Sequence, residues 1–340
     1  MRKSSSICFL PRLQGLGGPA SFQQRLFTGL SERDIEVHFD PDRPDCCTVL
    51  VFGGTSNLPA LWRARKRGAR IVQRLNGMNW LHRRTAANLR FFLRSEYNNW
   101  VIATIRQRLA DRIIYQSNFV RSWWQTVYGK VSAQSRVIYN GVDLDVFTPE
   151  GDHERPTSLD RVLLVEGKFR SGYEVGLKNG VNLVERLQPK HPKPLELMVV
   201  GQVSPDLRAL YEKRPIRINW TGVVEPERIP FINRSAHVLF SADLNAACPN
   251  SVVEGMACGL PVAGFATGAL SELVAEEGGK VVPYGANFWK LEEPDINNLV
   301  DAASDILAHQ ETYRPAARAR AEKIFSLDEV VEKYLDALLN

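Results

Sequence analysis

Asn250, Ser251 and Glu254 are the residues whose types and spacing point most directly to chemistry. They lie in the stretch Cys248 to Val274, CPNSVVEGMACGLPVAGFATGALSELV. Asn250 has the side-chain oxygen of a good N-cap, and Ser251 to Ala257 then reads as a short helix closed by Cys258-Gly259. The amides of Ser251, Val252 and Val253 would point out of its N-terminus with the positive end of the dipole, a ready-made phosphate site. Glu254, one turn further in, is placed to accept a hydrogen bond from a hydroxyl of whatever carries that phosphate. A second candidate is Gly15-Leu16-Gly17-Gly18-Pro19-Ala20, which fits G-x-G-x-x-A after a strand, with Glu36 further on. It reads either as a dinucleotide fingerprint or as a tight turn before a helix. The six histidines form no H-E-x-x-H cluster and the five cysteines have no metal-ligand spacing, so no metal or cofactor is expected.

These residues need elements to position them. Strands alternate with helices, which predicts α/β architecture with parallel sheets. In the first half, strands are expected at Ser6–Leu10, Ile35–Phe39, Thr48–Phe52, Arg70–Leu75, Asp111–Gln116 and Arg136–Tyr139. Helices are expected from Pro19 to about Leu30, within Arg84–Leu109 and over Asn118–Tyr128, where Trp123-Trp124 reads as packing. In the second half, strands are expected at Arg161–Glu166, Leu195–Val200, Ile216–Trp220, Val238–Ser241 and Pro261–Phe265, with an edge at Lys280–Pro283. A second helix of the opening stretch is expected at Ala269–Val274, and Leu327–Leu339 is an amphipathic final helix. Asn140-Gly141 is a turn, and Pro149 with the polar stretch to Asp160 reads as a linker. Domains are therefore expected at 1–149, with 327–340 added to them, and at 150–326.

Composition sets bounds. A chain of 340 residues, 44% hydrophobic and 24% charged, is long enough for two globular domains. No apolar run is long enough to span a membrane. The start, MRKSSSICFLP, reads as a strand rather than a signal peptide. An odd cysteine count with adjacent Cys46-Cys47 fits a reduced cytoplasm. Charge is uneven: residues 1–150 carry 22 Lys/Arg against 11 Asp/Glu, and the remainder 21 against 27. The basic half, led by Arg63, Arg65, Lys66, Arg67 and Arg70, reads as a solvated helix face or as facing an anionic acceptor or membrane surface. It shows no nucleic-acid recognition motif, so no nucleic-acid partner is expected.

The segment NSVVEGMACGLPVAGFATGALSELV, together with RVIYNGVDLDVFTP at Arg136–Pro149, resembles the signatures of glycosyltransferase family 4. The resemblance covers most of the chain, densely at these two segments and thinly before Arg70. It implies the GT-B fold: two Rossmann-like, doubly wound domains facing a cleft, with the C-terminal helix crossing back to the first. It implies transfer of a sugar from a UDP- or GDP-sugar to a hydroxyl acceptor, with retention of configuration and no metal. A glycan or glycolipid acceptor in cell-surface polysaccharide synthesis fits such a protein, in the cytoplasm or peripheral to the membrane. By the same resemblance Glu254 holds the nucleotide ribose, and the Asn250 helix terminus holds phosphate. Lys168 neutralises the diphosphate with Lys178, for which Arg170 is a rival. Gly17 and Gly18 bring backbone amides to the donor phosphates or the acceptor, and Gly222-Val223 reads the base. Asn76 stands where many relatives have histidine; it can hydrogen-bond a sugar but cannot act as a base, and nearby His82 is either a substitute or a surface histidine. The first acid of the family's pair falls on Ala246, a departure that bears on the sugar and on turnover. Two other readings stay open. One is a degenerate transferase that binds nucleotide or glycan without turnover, which turns on whether Asp243 or Asn245 replaces the missing acid. The other is a nicotinamide-dependent oxidoreductase using the first glycine-rich loop.

Overall fold

The computed structural model describes residues 6–15, 17–85, 88–170 and 172–340. The chain divides into two units, 1–141 with 327–340, and 142–326.

The first unit opens with β1 (Ser6–Leu10), α1 (Gly18–Ser31), β2 (Val37–His38), β3 (Cys46–Phe52), α2 (Leu58–Lys66) and β4 (Arg70–Leu75). It continues through α3 (Leu89–Thr104), β5 (Arg112–Tyr115), α4 (Asn118–Tyr128) and β6 (Gln134–Val137). All pairings are parallel, in the order β2-β1-β3-β4-β5-β6. Because a strand alternates its side chains between faces, each strand feeds two cores. Ile7 and Phe9 of β1, with Leu50 and Phe52 of β3, pack under α1. Cys8 and Leu10, with Val49 and Val51, pack under Leu61 and Ala64 of α2. The expected strand at Ile35–Phe39 shrinks to two residues, because Ile35 still donates to Leu30 O in the turn that closes α1. The helical segment expected within Arg84–Leu109 is α3 followed by a π-wound turn, Ile105–Leu109; residues 86 and 87 lie outside the described residues.

The second unit contains β7 (Asp160–Lys168), α5 (Glu174–Leu187), β8 (Leu195–Gln202), α6 (Pro205–Glu212), β9 (Arg217–Gly222), α7 (Ile229–Arg234) and β10 (Val238–Ser241). Then come α8 (Asn250–Ala257), β11 (Val262–Phe265), α9 (Leu270–Val274), β12 (Gly279–Val282), α10 (Ile296–Ala308) and α11 (Gln310–Phe325). Its sheet is again parallel, in the order β12-β11-β10-β7-β8-β9. The final helix, α12 (Leu327–Leu339), belongs to the first unit. Val330, Val331 and Tyr334 join the α1 core, and a Cβ on Gly29 would stand 2.6 Å from Val331 Cγ2, so only glycine permits this approach. The carboxyl end of α12 is held by cations and a hydroxyl. Arg112 Nη1 donates to Ala337 O at 3.1 Å, Arg70 Nη1 to Leu338 O at 3.1 Å, and Thr48 Oγ1 to Leu338 O at 3.0 Å. Arginines there complement the negative end of the helix.

The first boundary falls at Gly141 rather than in the linker after Pro149. Residues from Val142 on are bound into the second unit: Val142 N donates to Phe325 O at 2.8 Å, and Arg318 Nη1 donates to Phe147 O at 2.7 Å.

Candidate functional site

In the second unit the strand order reverses between β7 and β10. The first excursion runs β7-β8-β9 and the second returns to β10 on the other side of β7. The crevice outside the carboxyl ends at such a reversal is where doubly wound sheets take ligands. Three loops converge there. Glu166 and Lys168 end β7, Lys168 being exposed. The loop from Ala242 to Pro249 leaves β10. A Cβ on Gly176 of α5 would stand 2.7 Å from Ala242 O, and one on Gly268 would stand 2.5 Å from Ala246 N. Gly268, with φ +60°, therefore lets the β10–α8 loop lie on the β11–α9 turn, where Ala269 N donates to Ala246 O at 2.9 Å.

The loop delivers two polar groups. Asn245 has a left-handed backbone, φ +61°, and is 4% exposed, yet neither its Oδ1 nor its Nδ2 has a hydrogen-bond partner. A buried amide left unsatisfied is costly. Asp243 is half-buried, and burial pushes its carboxyl up to about 7. Burial and then the charge of Asp243 raise Glu166, and the charge of Asp243, with burial, raises the phenol of Tyr173. Two carboxyl groups and a tyrosine thus share one environment at the ends of β7 and β10. Carboxyl groups so placed can hydrogen-bond hydroxyls.

The phosphate-binding candidate is the N-terminus of α8. Asn250 is its first helical residue, not its N-cap. Pro249 caps the helix, because its extended backbone turns its carbonyl onto the amides of Val252 (3.2 Å) and Val253 (3.3 Å). This narrows the predicted amide set: Val252 and Val253 are already engaged with Pro249 O, which leaves Ser251. Glu254 is 8% exposed and opens the second turn of the same helix.

The remaining predicted residues lie apart. Lys178 is in the second turn of α5 and pairs with Glu293. Gly222 ends β9, two strands from β7 at the same sheet edge, and Val223 is 59% exposed beside it. In the first unit, Gly17 caps α1 and Gly18 begins it, both exposed after β1; Leu16 lies outside the described residues. Asn76 follows β4. Its Oδ1 accepts from Arg74 Nη1 at 2.9 Å and from Gln116 Nε2, and its carbonyl accepts from Trp124 Nε1 at 2.8 Å. Its oxygen is thus committed to the protein, and its Nδ2 is the group left to offer. Trp124 is fully buried, as packing requires. His82 is not a surface histidine: it is 3% exposed, with Nε2 2.7 Å from Glu96 Oε1. Four of the five cations of the basic cluster are likewise engaged within the protein, Lys66 lying over the Trp62 ring instead. Arg63 and Arg67 pair with Asp42, Arg65 with Asp111, and Arg70 serves α12.

Residues 43–146 match the family model described as Glycosyltransferase Family 4, and residues 160–309 the one described as Glycosyl transferases group 1. Together the two matches span most of the chain, consistent with a glycosyltransferase like those of family 4. A comparison with proteins of curated function finds no match in sequence. The fold is that of GT-B glycosyltransferases. The chain is similar to sucrose-phosphate synthase from Thermosynechococcus elongatus, with TM-score 0.75, 17% identity and 98% of both chains covered. It is similar to Anabaena HepE in complex with UDP and glucose, with TM-score 0.69, 15% identity, and 98% of this chain and 99% of that one covered. WaaG, a glycosyltransferase involved in lipopolysaccharide biosynthesis, superposes with TM-score 0.71 at 14% identity, covering 98% of this chain and 100% of that one. Glu254, which the resemblance sets at the family's second acid, opens the second turn of α8. The position of the first, Ala246, is an apolar residue 6% exposed beside the unpartnered Asn245. Asn245, Asp243 and Glu166 are the residues motif reasoning passed over or left undecided. Their signal is positional, since each closely follows or ends a strand flanking the reversal.

Proposed function

We propose that this glycosyltransferase moves a sugar from a UDP- or GDP-sugar to a hydroxyl acceptor, with retention of configuration and without a metal. What supports the reading is the strand order: β7, which ends at Lys168, neighbours β10, whose loop leads into α8 and Glu254. Lys168 and the N-terminal end of α8, with the amide of Ser251, supply positive charge to a leaving nucleoside diphosphate, the work a divalent cation would otherwise do. Glu254 accepts from the ribose. Asn245, Asp243 and Glu166 address sugar hydroxyls in place of the acid absent at Ala246, and Gly222-Val223 lie along the base. In the first unit Gly17, Gly18 and the Asn76 amide serve the acceptor side. Its basic surface meets a glycan or glycolipid acceptor at an anionic membrane, consistent with cell-surface polysaccharide synthesis.

Ala246 and the pairing of Lys178 with Glu293 favour a second reading, a nucleotide or glycan binder without turnover. Release of free UDP or GDP from their sugar conjugates, with the anomer followed by NMR, separates the two. Sugar release by the wild type that is lost in Lys168→Ala supports transfer. Nucleotide binding with no release from any conjugate leaves the binder, and no binding at all sinks both.

A further inference from the structure

Helix α3 buries the apolar Val101 and Ala103 near its end, but its first three turns are inside out. Its inward side carries the polar Ser95 and Asn99, 5% and 2% exposed, and Asn99 exchanges hydrogen bonds with the backbone of Asn79 at 3.0 and 2.8 Å. Its outward side carries Leu89, Leu93, Tyr97 and Trp100, exposed by 71%, 58%, 52% and 56%. These recur at the three- and four-residue spacing that aligns side chains along one helix face. The rings of Tyr97 and Trp100 lie 5.9 Å apart. Phe91 and Phe92, also exposed, flank the start of the helix and reach back to His82. An apolar stripe of this size on a folded surface marks an interaction site.

Charge identifies the occupant. Residues 46–110 contain twelve arginines and lysines and one acid, Glu96. That acid is neutralised: Arg83 binds both its oxygens, at 2.5 and 2.7 Å, and holds its carboxyl down to about 2. Arg84, Arg90 and Arg94 are exposed and have no acidic partner among the described residues. The stripe is therefore rimmed by uncompensated arginines on long apolar stems, the pattern of a helix that lies in the plane of an anionic lipid surface with its charged heads at the headgroups. An acidic protein partner would satisfy the arginines but not call for a continuous strip of leucine and aromatic residues.

We propose that α3 is a membrane-docking element that seats Leu89, Leu93, Tyr97 and Trp100 in the headgroup region of an anionic bilayer, with Arg84, Arg90 and Arg94 against its phosphates. It rests on the reading of the first unit as facing an anionic membrane, and names the surface that does so.

The test is flotation of the full chain with vesicles of phosphatidylcholine alone and with added phosphatidylglycerol. Nucleotide binding is measured on the same preparations, so that an unfolded variant is recognised. The wild type is expected to float with the anionic vesicles and to be released by salt. Leu93→Ser/Trp100→Ser is expected to lower the partition at least tenfold. Arg90→Gln/Arg94→Gln is expected to lower it by on the order of fivefold per arginine. Wild-type binding that survives in both variants overturns α3 as the surface while leaving the membrane reading in place. No binding to either vesicle overturns both. Equal binding to neutral vesicles, or a dimer in solution that the Leu93/Trp100 variant abolishes, overturns the anionic-membrane assignment in favour of unselective adhesion or a second copy of the chain.

Discussion

Replacing Asp243 with asparagine should make the second unit more stable at alkaline pH while weakening its grip on the sugar. Burial carries this carboxyl from its ordinary 3.8 to about 7. The folded protein thus holds the proton over a range where the unfolded chain has released it. Stability from this group is full below the unfolded value, falls as pH rises and is lost once pH passes about 7. At roughly 1.4 kcal/mol per pH unit the cost above that point is at most about 4 kcal/mol. The residue keeps some contact with solvent, and screening brings the expected gain for Asp243→Asn at pH 8 to about 2 kcal/mol. For a unit of this size that is a rise of about 4–8 °C in Tm. At pH 5 the gain should shrink to roughly a third, because both states are then closer to sharing the proton. Variant must be compared with wild type at each pH. His237, held down to about 4 by burial, loses stability in the opposite direction as pH falls. Calorimetric melts at pH 5 and 8 make the measurement. An Asp243→Asn protein no more stable than wild type at pH 8, or a difference independent of pH, would refute the burial of this carboxyl at the β7–β10 reversal.

Other consequences are direct. Glu254→Ala should weaken nucleotide-donor binding by about 1–3 kcal/mol, the scale of a lost charge-assisted hydrogen bond; titration calorimetry on the folded variant checks it, and unchanged affinity removes Glu254 from the ribose. Tyr334→Phe should cost about 1.5–3 kcal/mol. It removes the hydroxyl that accepts from Arg74 Nε at 3.0 Å, and that guanidinium is 1% exposed and otherwise held by the side-chain oxygens of Asn76 and Asn140. Thermal melts of the protein would show the loss, and an unaltered melt would mean that the Arg74–Tyr334 bond adds nothing to the hold on α12.

How much of this was legible beforehand follows from whether the interactions are local. The bounds of β1, β4, α4, β10 and α12 match the sequence reading because each is a continuous apolar run or a periodic face between strong stops. The start of α8 was misread by one residue, because a proline carbonyl can close the first turn as well as an asparagine side chain can. The boundary moved to Gly141 because Arg318 and Phe325, far along the chain, bind the segment that looked like a linker. The Glu166–Asp243 pair depends on β7 and β10 being neighbours, a consequence of sheet order rather than of any motif. The periodicity of α3 shows a stripe but not which side faces out; only the buried Asn99 and its bonds to Asn79 decide that.

The most direct test of the central claim is nucleotide binding itself, by thermal shift and calorimetry with UDP, GDP, ADP and NAD, each with magnesium and with a chelator. A nucleotide at a hundred times its dissociation constant adds about 2.7 kcal/mol of stability, well within detection. A shift with UDP or GDP that persists in the chelator and is lost in Lys168→Ala is the predicted result. A shift with NAD alone, or none with any of the four, would contradict a nucleotide-sugar site at the β7–β10 reversal.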